Sequence, residues 1–342
     1  MRHSLLPIVL RYVDQVAKSG SVQGAAKELH VAASAVHRQV LQLEDELGVA
    51  LFERLPRGMR LTSAGDAVVT LARRWRHDER RLVEDIRQMQ GVFQGRVRVV
   101  AMDSHATSVL PALVARLGEA HPRISLEIEI ASTDEAVAAL VAGQAEVVAG
   151  FNLHPRRELL PLWQAELPLG CVVAPDHPLA ALPTVSLQEV SAHPIALQSK
   201  ALLIRRYLEA HYDWLFNDSR ARVETNSLQL VKMLARQGRH VALTSELDAA
   251  PELLAGTLRF VPVRDPRADP QTVAVAIHAG KPPGPLVKTV ATVLAECIAD
   301  CLAQVRSNRD LSAAGPPQGA ERPLGGAANA VSLGADISLP SA

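Results

Sequence analysis

The residues of this chain that are equipped for chemistry fall into three groups. The first is basic and lies near the N-terminus: Ser34, His37 and Arg38 share the outer face of a helical pattern opposite Val36 and Val40, and Arg54, Arg57 and Arg60 follow in a segment punctuated by Pro56 and Gly58. A guanidinium is a planar fork of donors that fits phosphate oxygens and guanine edges, so this grouping points to nucleic acid. The second is hydroxyl and amide. Ser104, Ser132 and Asn226 each stand ahead of an apolar helical run, where a side-chain oxygen caps exposed N–H groups and the partial positive charge favours anions. Ser132 with Glu135 has capping-box spacing, and Asn226 is expected to cap the run from Leu228. The third group is Cys297 and Cys301, one turn apart with no basic cluster beside them, which reads as buried packing rather than as a reactive pair. Ser104 adjoins His105, but neighbours on one turn do not provide nucleophile, base and orienter, and no Gly-x-Ser-x-Gly elbow surrounds Ser104. His30 sits in a turn beside apolar residues and reads as packing or capping, and no His, Cys or acidic spacing matches a metal site. Neither catalytic residues nor a metal or cofactor are expected.

These groups need elements to hold them. Residues 5–18 have apolar positions at spacings of three and four, including Leu6, Val9, Leu10, Val13 and Val16, and Gly20 ends the pattern. Ser21 is placed to cap a helix over residues 22–29, and a break at His30 to Ala32 precedes a third over residues 33–47, closed by Gly48. Two short helices joined by such a turn describe a helix-turn-helix. The segment from Arg54 to Arg60 is then a basic hairpin, a wing. From Thr62, with Ser63 and Asp66 as its capping pair, a helical pattern runs to Gln90, roughly 43 Å. Val68, Trp75, Leu82 and Met89 recur every seven residues, with Ala72 and Ile86 adjoining. A long helix with one apolar stripe requires a partner, so these four are the expected dimer seam. Arg73, Arg74, Arg76, Arg80 and Arg81 alternate with acidic residues and read as a solvated flank.

From Arg96 the period changes. Strands at 96–102, 124–131 and 146–151 alternate with helices at 109–120 and 135–142, the pattern of an open α/β sheet. A strand at 170–174 leads into a second such stretch, with strands at 195–198, 222–224 and 241–244 around helices at 201–210 and 228–237. Strands at 258–263 and 272–277 and a helix at 285–305 complete it. The expected organisation is a head at 1–61, a linker helix at 62–91, and a two-lobed domain at 95–306. Its first lobe takes 95–173 and 272–306, and its second 174–271. Residues 307–342 are Ala, Gly, Pro and Ser with few aliphatics and are expected to be disordered.

Composition agrees with this division. A chain of 342 residues with 48% apolar content supports several cores. Its 36 Lys+Arg balance 36 Asp+Glu, so the basic bias of the head is local. Three cysteines are too few for a disulfide framework, and no apolar run reaches the roughly 18–20 residues of a membrane span. The cytoplasm is the expected location.

Quoted in order, Gly20-Ser21, Ala25-Ala26-Lys27-Glu28-Leu29-His30-Val31, Ala35-Val36-His37-Arg38-Gln39-Val40, Leu43-Glu44-Asp45-Glu46-Leu47-Gly48, Leu51-Phe52-Glu53-Arg54 and Leu61-Thr62-Ser63-Ala64-Gly65 resemble the DNA-binding half of the LysR-type regulators. Weaker motifs, Leu110-Pro111 and Ala145-Glu146-Val147, and the order of elements resemble that family's effector domain, itself similar to periplasmic solute-binding proteins. The resemblance spans about residues 5–305. It implies an α-rich winged helix-turn-helix followed by an α/β effector domain, and a homodimer or homotetramer bound to operator DNA. Ser21, Ala33, Ser34, His37, Arg38, Arg54, Arg57 and Arg60 would contact DNA. The effector would lie between the lobes against Ser104, Thr107, Ser132, Thr133, Gln198, Ser199, Lys200 and Asn226. The chain departs from the family at Ala32 and Ala33, where many members carry Ser and Gln; an alanine forgoes the cap and the bidentate adenine contact, though it can touch a thymine methyl. Three helix N-termini and Lys200 favour a small organic anion, a carboxylate, while Asp103 and Glu246 are placed to oppose it. A solute-binding protein and an enzyme on an α/β sheet are the rival readings; neither accounts for the run from Ala25 to Gly65.

Overall fold

The computed structural model describes residues 5, 7–56, 58–89, 94–200, 203–216, 223–265, 270–280 and 283–313. Leu6 and Arg57 therefore lie outside the described residues, as do residues 314–342 of the expected tail.

Three helices open the chain: α1 (Ile8–Ser19), α2 (Val22–Leu29) and α3 (Ala33–Leu47). Gly20 ends α1 in the left-handed conformation, φ 68°, and the Ser21 hydroxyl accepts from Gly24 N at 3.0 Å to cap α2. His30, with φ 55°, ends α2 while its side chain stays exposed. Val13, Val16, Ala25, Val36 and Val40 from the three helices close one core, joined by Leu51 and Val69. The wing is the antiparallel hairpin of β1 (Phe52–Leu55) and β2 (Gly58–Leu61).

Helix α4 (Ser63–Met89) follows. Its cap is Thr62, whose hydroxyl accepts from Gly65 N at 3.0 Å, one residue earlier than the expected Ser63. A Cβ on Gly65 would lie 2.0 Å from Leu51 O, so only glycine lets the helix pass this close to the head. The first turns bury Val69 and half-bury Val68 against the head's core, and Ala72 is buried as well. Val68 thus belongs to the head rather than to a free seam. The exposed stripe is instead Leu71, Trp75, Leu82 and Ile86, and the Met89 side chain lies outside what is described.

The remainder builds two five-stranded sheets. The first has the order β4 (Ile124–Ile130), β3 (Gly95–Ala101), β5 (Val147–Phe151), β12 (Gln271–His278), β6 (Leu159–Leu167), with β3 parallel to β4 and β5. Helices α5 (Val109–Ala120), α6 (Thr133–Val141) and α11 (Pro285–Ala313) cover it. The second has the order β11 (Arg259–Pro262), β7 (Gly170–Val173), β10 (Val241–Thr244), β8 (Ile195–Gln198), β9 (Val223–Thr225), accompanied by α7 (Leu187–Ser191), α8 (Leu203–His211), α9 (Leu228–Arg236) and α10 (Ala250–Leu254). No helix among the described residues is long and apolar enough to cross a membrane.

Three differences from the sequence reading have physical causes. Residues 170–173, expected in the first lobe, pair antiparallel with both β10 and β11, so the chain crosses between lobes before Gly170. Strand β6 was not expected; it carries Pro161, which an edge strand tolerates because its missing N–H faces no partner, and a bulge at Leu162 lets it pair along β12. Helix α11 runs past residue 306 into the expected tail, and Arg306 and Arg309 find a buried acceptor in Glu246.

Candidate functional site

In the head, the outer face of α3 carries Ser34 and Arg38, both exposed, and His37, half-buried. Leu41, one turn beyond Arg38, is also exposed on that face, an apolar group the sequence reading did not single out. Ala33 is half-buried, and Ala32 caps α3 with no side-chain bond. The wing is fixed to this helix by Glu44, whose carboxylate accepts from Leu51 N at 2.7 Å and Phe52 N at 3.2 Å. It is fixed to the α1–α2 turn by Met59 N, which donates to Gly20 O at 2.8 Å. Gly58 makes that contact feasible: its φ is +117°, and a Cβ there would sit 2.7 Å from Gly20 O. Of the wing arginines, Arg60 pairs with Glu53 across the hairpin at 2.8 Å. The Arg54 side chain and all of Arg57 lie outside the described residues.

Two arginines expected in a solvated flank are structural. Arg73 Nε and Arg76 Nη1 each lie 2.8 Å from Asp14, a fully buried carboxylate of α1 that Lys18 also approaches at 3.1 Å. Burial works to raise the pKa of Asp14, but the bond from Arg73 and the charges of Arg76 and Lys18 outweigh it and hold it below the ordinary carboxylate value.

Between the two sheets lies a cavity of about 210 Å³. Its walls come from the residues that follow parallel strands: Met102 to Ser104 after β3, Ala131 to Thr133 after β4, Phe151 ending β5, Gln198 ending β8, Asn226 after β9 and Asp248 after β10. Ligands of open α/β sheets bind at this carboxyl edge. Ile130, Ile204 and Leu228 add apolar surface, and Arg206 and Gln271 polar groups.

Of the eight residues expected here, the structure brings five to the cavity: Ser104, Ser132, Thr133, Gln198 and Asn226. Ser132 closes a full capping box with Glu135 at the start of α6, and the Thr133 hydroxyl bonds Phe151 O at 3.2 Å. Ser104 lies in a 3-10 turn (Asp103–His105), its hydroxyl 3.2 Å from Nδ1 of His105. Burial pushes that imidazole down to about 4, so it is neutral at neutral pH. Asn226 is not the cap of α9; Ser227 is, accepting from Leu230 N at 3.2 Å. Thr107, Ser199 and Lys200 do not line the cavity. Thr107 is exposed, Ser199 N is spent on Thr225 O, and Lys200 turns to Glu209 at 3.3 Å.

The charges also differ from expectation. Glu246 is buried beneath α11, held by Arg306 at 2.6 Å and Arg309 at 3.4 Å, and does not reach the cavity. Asp248 does. Its carboxyl accepts from Thr244 Oγ1 at 2.6 Å and from Ser245 Oγ and N, and burial raises its pKa. Arg206 of α8 reaches across to Asp134 of α6 at 3.4 Å. Nothing in the sequence separates Arg206 from Arg205, which turns inward to Glu209. Gln271 has a buried Nε2 with no acceptor. No group of three or more His, Cys, Asp or Glu among the described residues is arranged to hold a metal, and Cys297 and Cys301 are buried, burial raising both thiols.

Comparison with known proteins places both halves. Residues 9–66 match the model of the bacterial regulatory helix-turn-helix protein, lysR family, and residues 90–298 match that of the LysR substrate binding domain. The RuBisCO operon transcriptional regulator of Allochromatium vinosum is 29% identical over 237 residues, covering 69% of this chain and 78% of that protein. A probable nitrogen assimilation transcriptional activator of Synechococcus elongatus is 29% identical over 246 residues, covering 71% and 78%. Among solved structures, full-length OxyR from Pseudomonas aeruginosa superposes with a TM-score of 0.64 at 23% identity, over 94% of this chain and all of that one. Full-length CbnR complexed with its target DNA does so at 0.55 and 21%, over 86% and 99%. With a helix-turn-helix and a two-lobed effector-binding domain matched in order along one chain, the protein belongs to the LysR family of transcriptional regulators.

Proposed function

We propose that the head at 1–61 reads duplex DNA through the face of α3 that carries Ala33, Ser34, His37, Arg38 and Leu41, with Ser21 and the wing arginines Arg54, Arg57 and Arg60 on the flanking phosphates. The observation that carries this is the exposed pair Ser34 and Arg38, one turn apart on a helix whose opposite face is core, beside a wing pinned by Glu44 and Gly20. A recognition helix needs this arrangement: a rigid back, a polar front, and a neighbouring element fixing its register on the backbone. Leu41 offers apolar contact to a thymine methyl where Ala33 is short.

The linker helix pairs with that of a second copy through Leu71, Trp75, Leu82 and Ile86. The domain from residue 95 to the end of α11 holds a small-molecule effector in the 210 Å³ cavity, and effector binding shifts the balance between lobe arrangements and so between placements of two DNA heads. The protein works as a cytoplasmic regulator, not as a catalyst.

Duplexes selected from a random library by the purified protein supply the test. Affinity for the selected site should fall about a thousandfold between about 50 and about 200 mM salt, as expected for six to ten neutralised phosphates per dimer. Arg38→Ala should cost about 1–3 kcal/mol and relax the preference at one position of each half-site. Selection of no common sequence, or a flat salt profile, would refute the reading.

A further inference from the structure

We infer that the cavity takes a small carboxylate with an apolar body, and that Arg206 is the group that holds it, released for the purpose from Asp134. This rests on the cavity being the effector site. Among the described residues, three charged ones line it: Asp103, Asp248 and Arg206. Asp103 is exposed to solvent. The Asp248 carboxyl accepts from Thr244 Oγ1, Ser245 Oγ and Ser245 N, all on Oδ2, and burial works to keep it uncharged. Arg206 is the cation of the three.

Gln271 is 5% exposed and lines the cavity, yet its Nε2 has no acceptor. A buried amide left unsatisfied is costly, and a ligand oxygen is what it lacks. Arg206 reaches Asp134 only at 3.4 Å through both terminal nitrogens, with both side chains at least half exposed. Such a surface pair is weak. A ligand carboxylate seated two-pronged on the guanidinium in a drier site makes the stronger bond. The first turn of α6, opened by Ser132, adds the positive end of its helix dipole to the same wall. Ile130, Phe151, Ile204 and Leu228 supply the apolar part of the lining. A volume of about 210 Å³ is below the roughly 300 Å³ at which drug-sized pockets begin, so the body of the ligand is small.

The exchange has a mechanical consequence. Arg206 belongs to the second lobe and Asp134 to the first. A carboxylate that takes Arg206 replaces a direct tie between lobes with one routed through the ligand. Asp134 is thus an internal competitor, setting the concentration at which the regulator responds.

Calorimetry on the full-length protein tests this. The probes are carboxylic acids of about four to eight carbons, aliphatic and aromatic, each paired with its primary amide and amine. At least one acid should bind, its amide and amine about tenfold or more weakly. Arg206→Ala should remove that preference, Gln271→Leu should weaken the acid several-fold, and Asp134→Asn should tighten it. An amide or amine that binds as well as its acid, a panel in which no acid binds, or an Asp134→Asn protein with unchanged or weaker affinity overturns the proposal. Ile130→Trp, which fills the cavity from a half-exposed position, separates the two readings: acid binding that survives it places the effector elsewhere. Binding abolished by Ile130→Trp but indifferent to charge overturns only the carboxylate.

Discussion

Arg73 of the linker helix donates through Nε to Oδ1 of Asp14 at 2.8 Å, joining residues 59 apart in the chain through a carboxylate that is fully buried. Arg76 and Lys18 converge on the same group. Together with the glycine contact at Leu51, this fixes the direction in which α4 leaves the head. A dimer that holds two heads at a set spacing depends on that direction, because half-site separation is a geometric quantity.

Asp14→Asn should therefore loosen the junction. It leaves three cations without their counter-charge, and since each is partly solvated the cost should be about 2 kcal/mol, below the usual penalty for breaking a buried pair. The native pKa of Asp14 is depressed, so its contribution is fully present above the ordinary carboxylate pKa of about 4 and is lost as pH falls through the lower native value. Thermal melts should show a gap between wild type and Asp14→Asn that is constant near neutral pH and closes in acid. A gap that widens on acidification would contradict the assignment.

Gly58→Ala should detach the wing. The residue has φ +117° and no room for a Cβ against Gly20 O, and strain of this kind costs about 1–3 kcal/mol. Operator affinity should drop about tenfold, with effector affinity unchanged. Equal affinity for DNA would mean that the hairpin does not contribute to binding.

Glu246→Gln should weaken the regulatory domain by about 2 kcal/mol, because a buried carboxylate that anchors Arg306 and Arg309 is lost. A chain ending after Val305 removes both arginines together with the Arg306–Glu166 O and Asn308–Leu253 O bonds and should lose more. Combining it with Glu246→Gln should cost less than the sum, since both delete the same ion pairs. Fully additive losses in denaturant melts would show that the pairing with Glu246 contributes nothing.

Much of this was legible in the sequence, and the reasons differ by residue. Ser21, Gly20 and Gly48 announce helix ends through local chemistry, so α2 and α3 have the expected bounds. Helix α5 and strands β8 and β10 were equally plain from their apolar runs. Long-range pairing was not. Asp14 looks like any polar residue of an amphipathic helix until α4 lies on it, and Arg73 and Arg76 are indistinguishable in sequence from Arg74. Lys200 and Arg206 show the same limit in the cleft: both are cations near the end of β8, and only packing decides that Lys200 turns to Glu209 while Arg206 faces the cavity. Residues 170–173 read as a strand, but which sheet they join depends on β10 and β11, far along the chain.

Trp75→Glu should separate the subunits. Trp75 is 42% exposed, and Leu71, Leu82 and Ile86 are exposed to a similar degree; their offsets of four, seven and four residues draw one stripe along a helix about 40 Å long. Such a stripe on a helix whose other side is charged is the seam of a two-helix coil, and a charge at its centre is desolvated at a cost no rim contact repays. Val68 and Val69 pack into the head's core on the other side of the helix, so the substitution should leave each head folded and still able to bind DNA weakly and without register. Sedimentation should show monomers at concentrations where the wild type is dimeric, and affinity for the two-half-site duplex should fall to that for a single half-site. A Trp75→Glu protein that sediments as a dimer would assign subunit contact to a surface of the two-lobed domain.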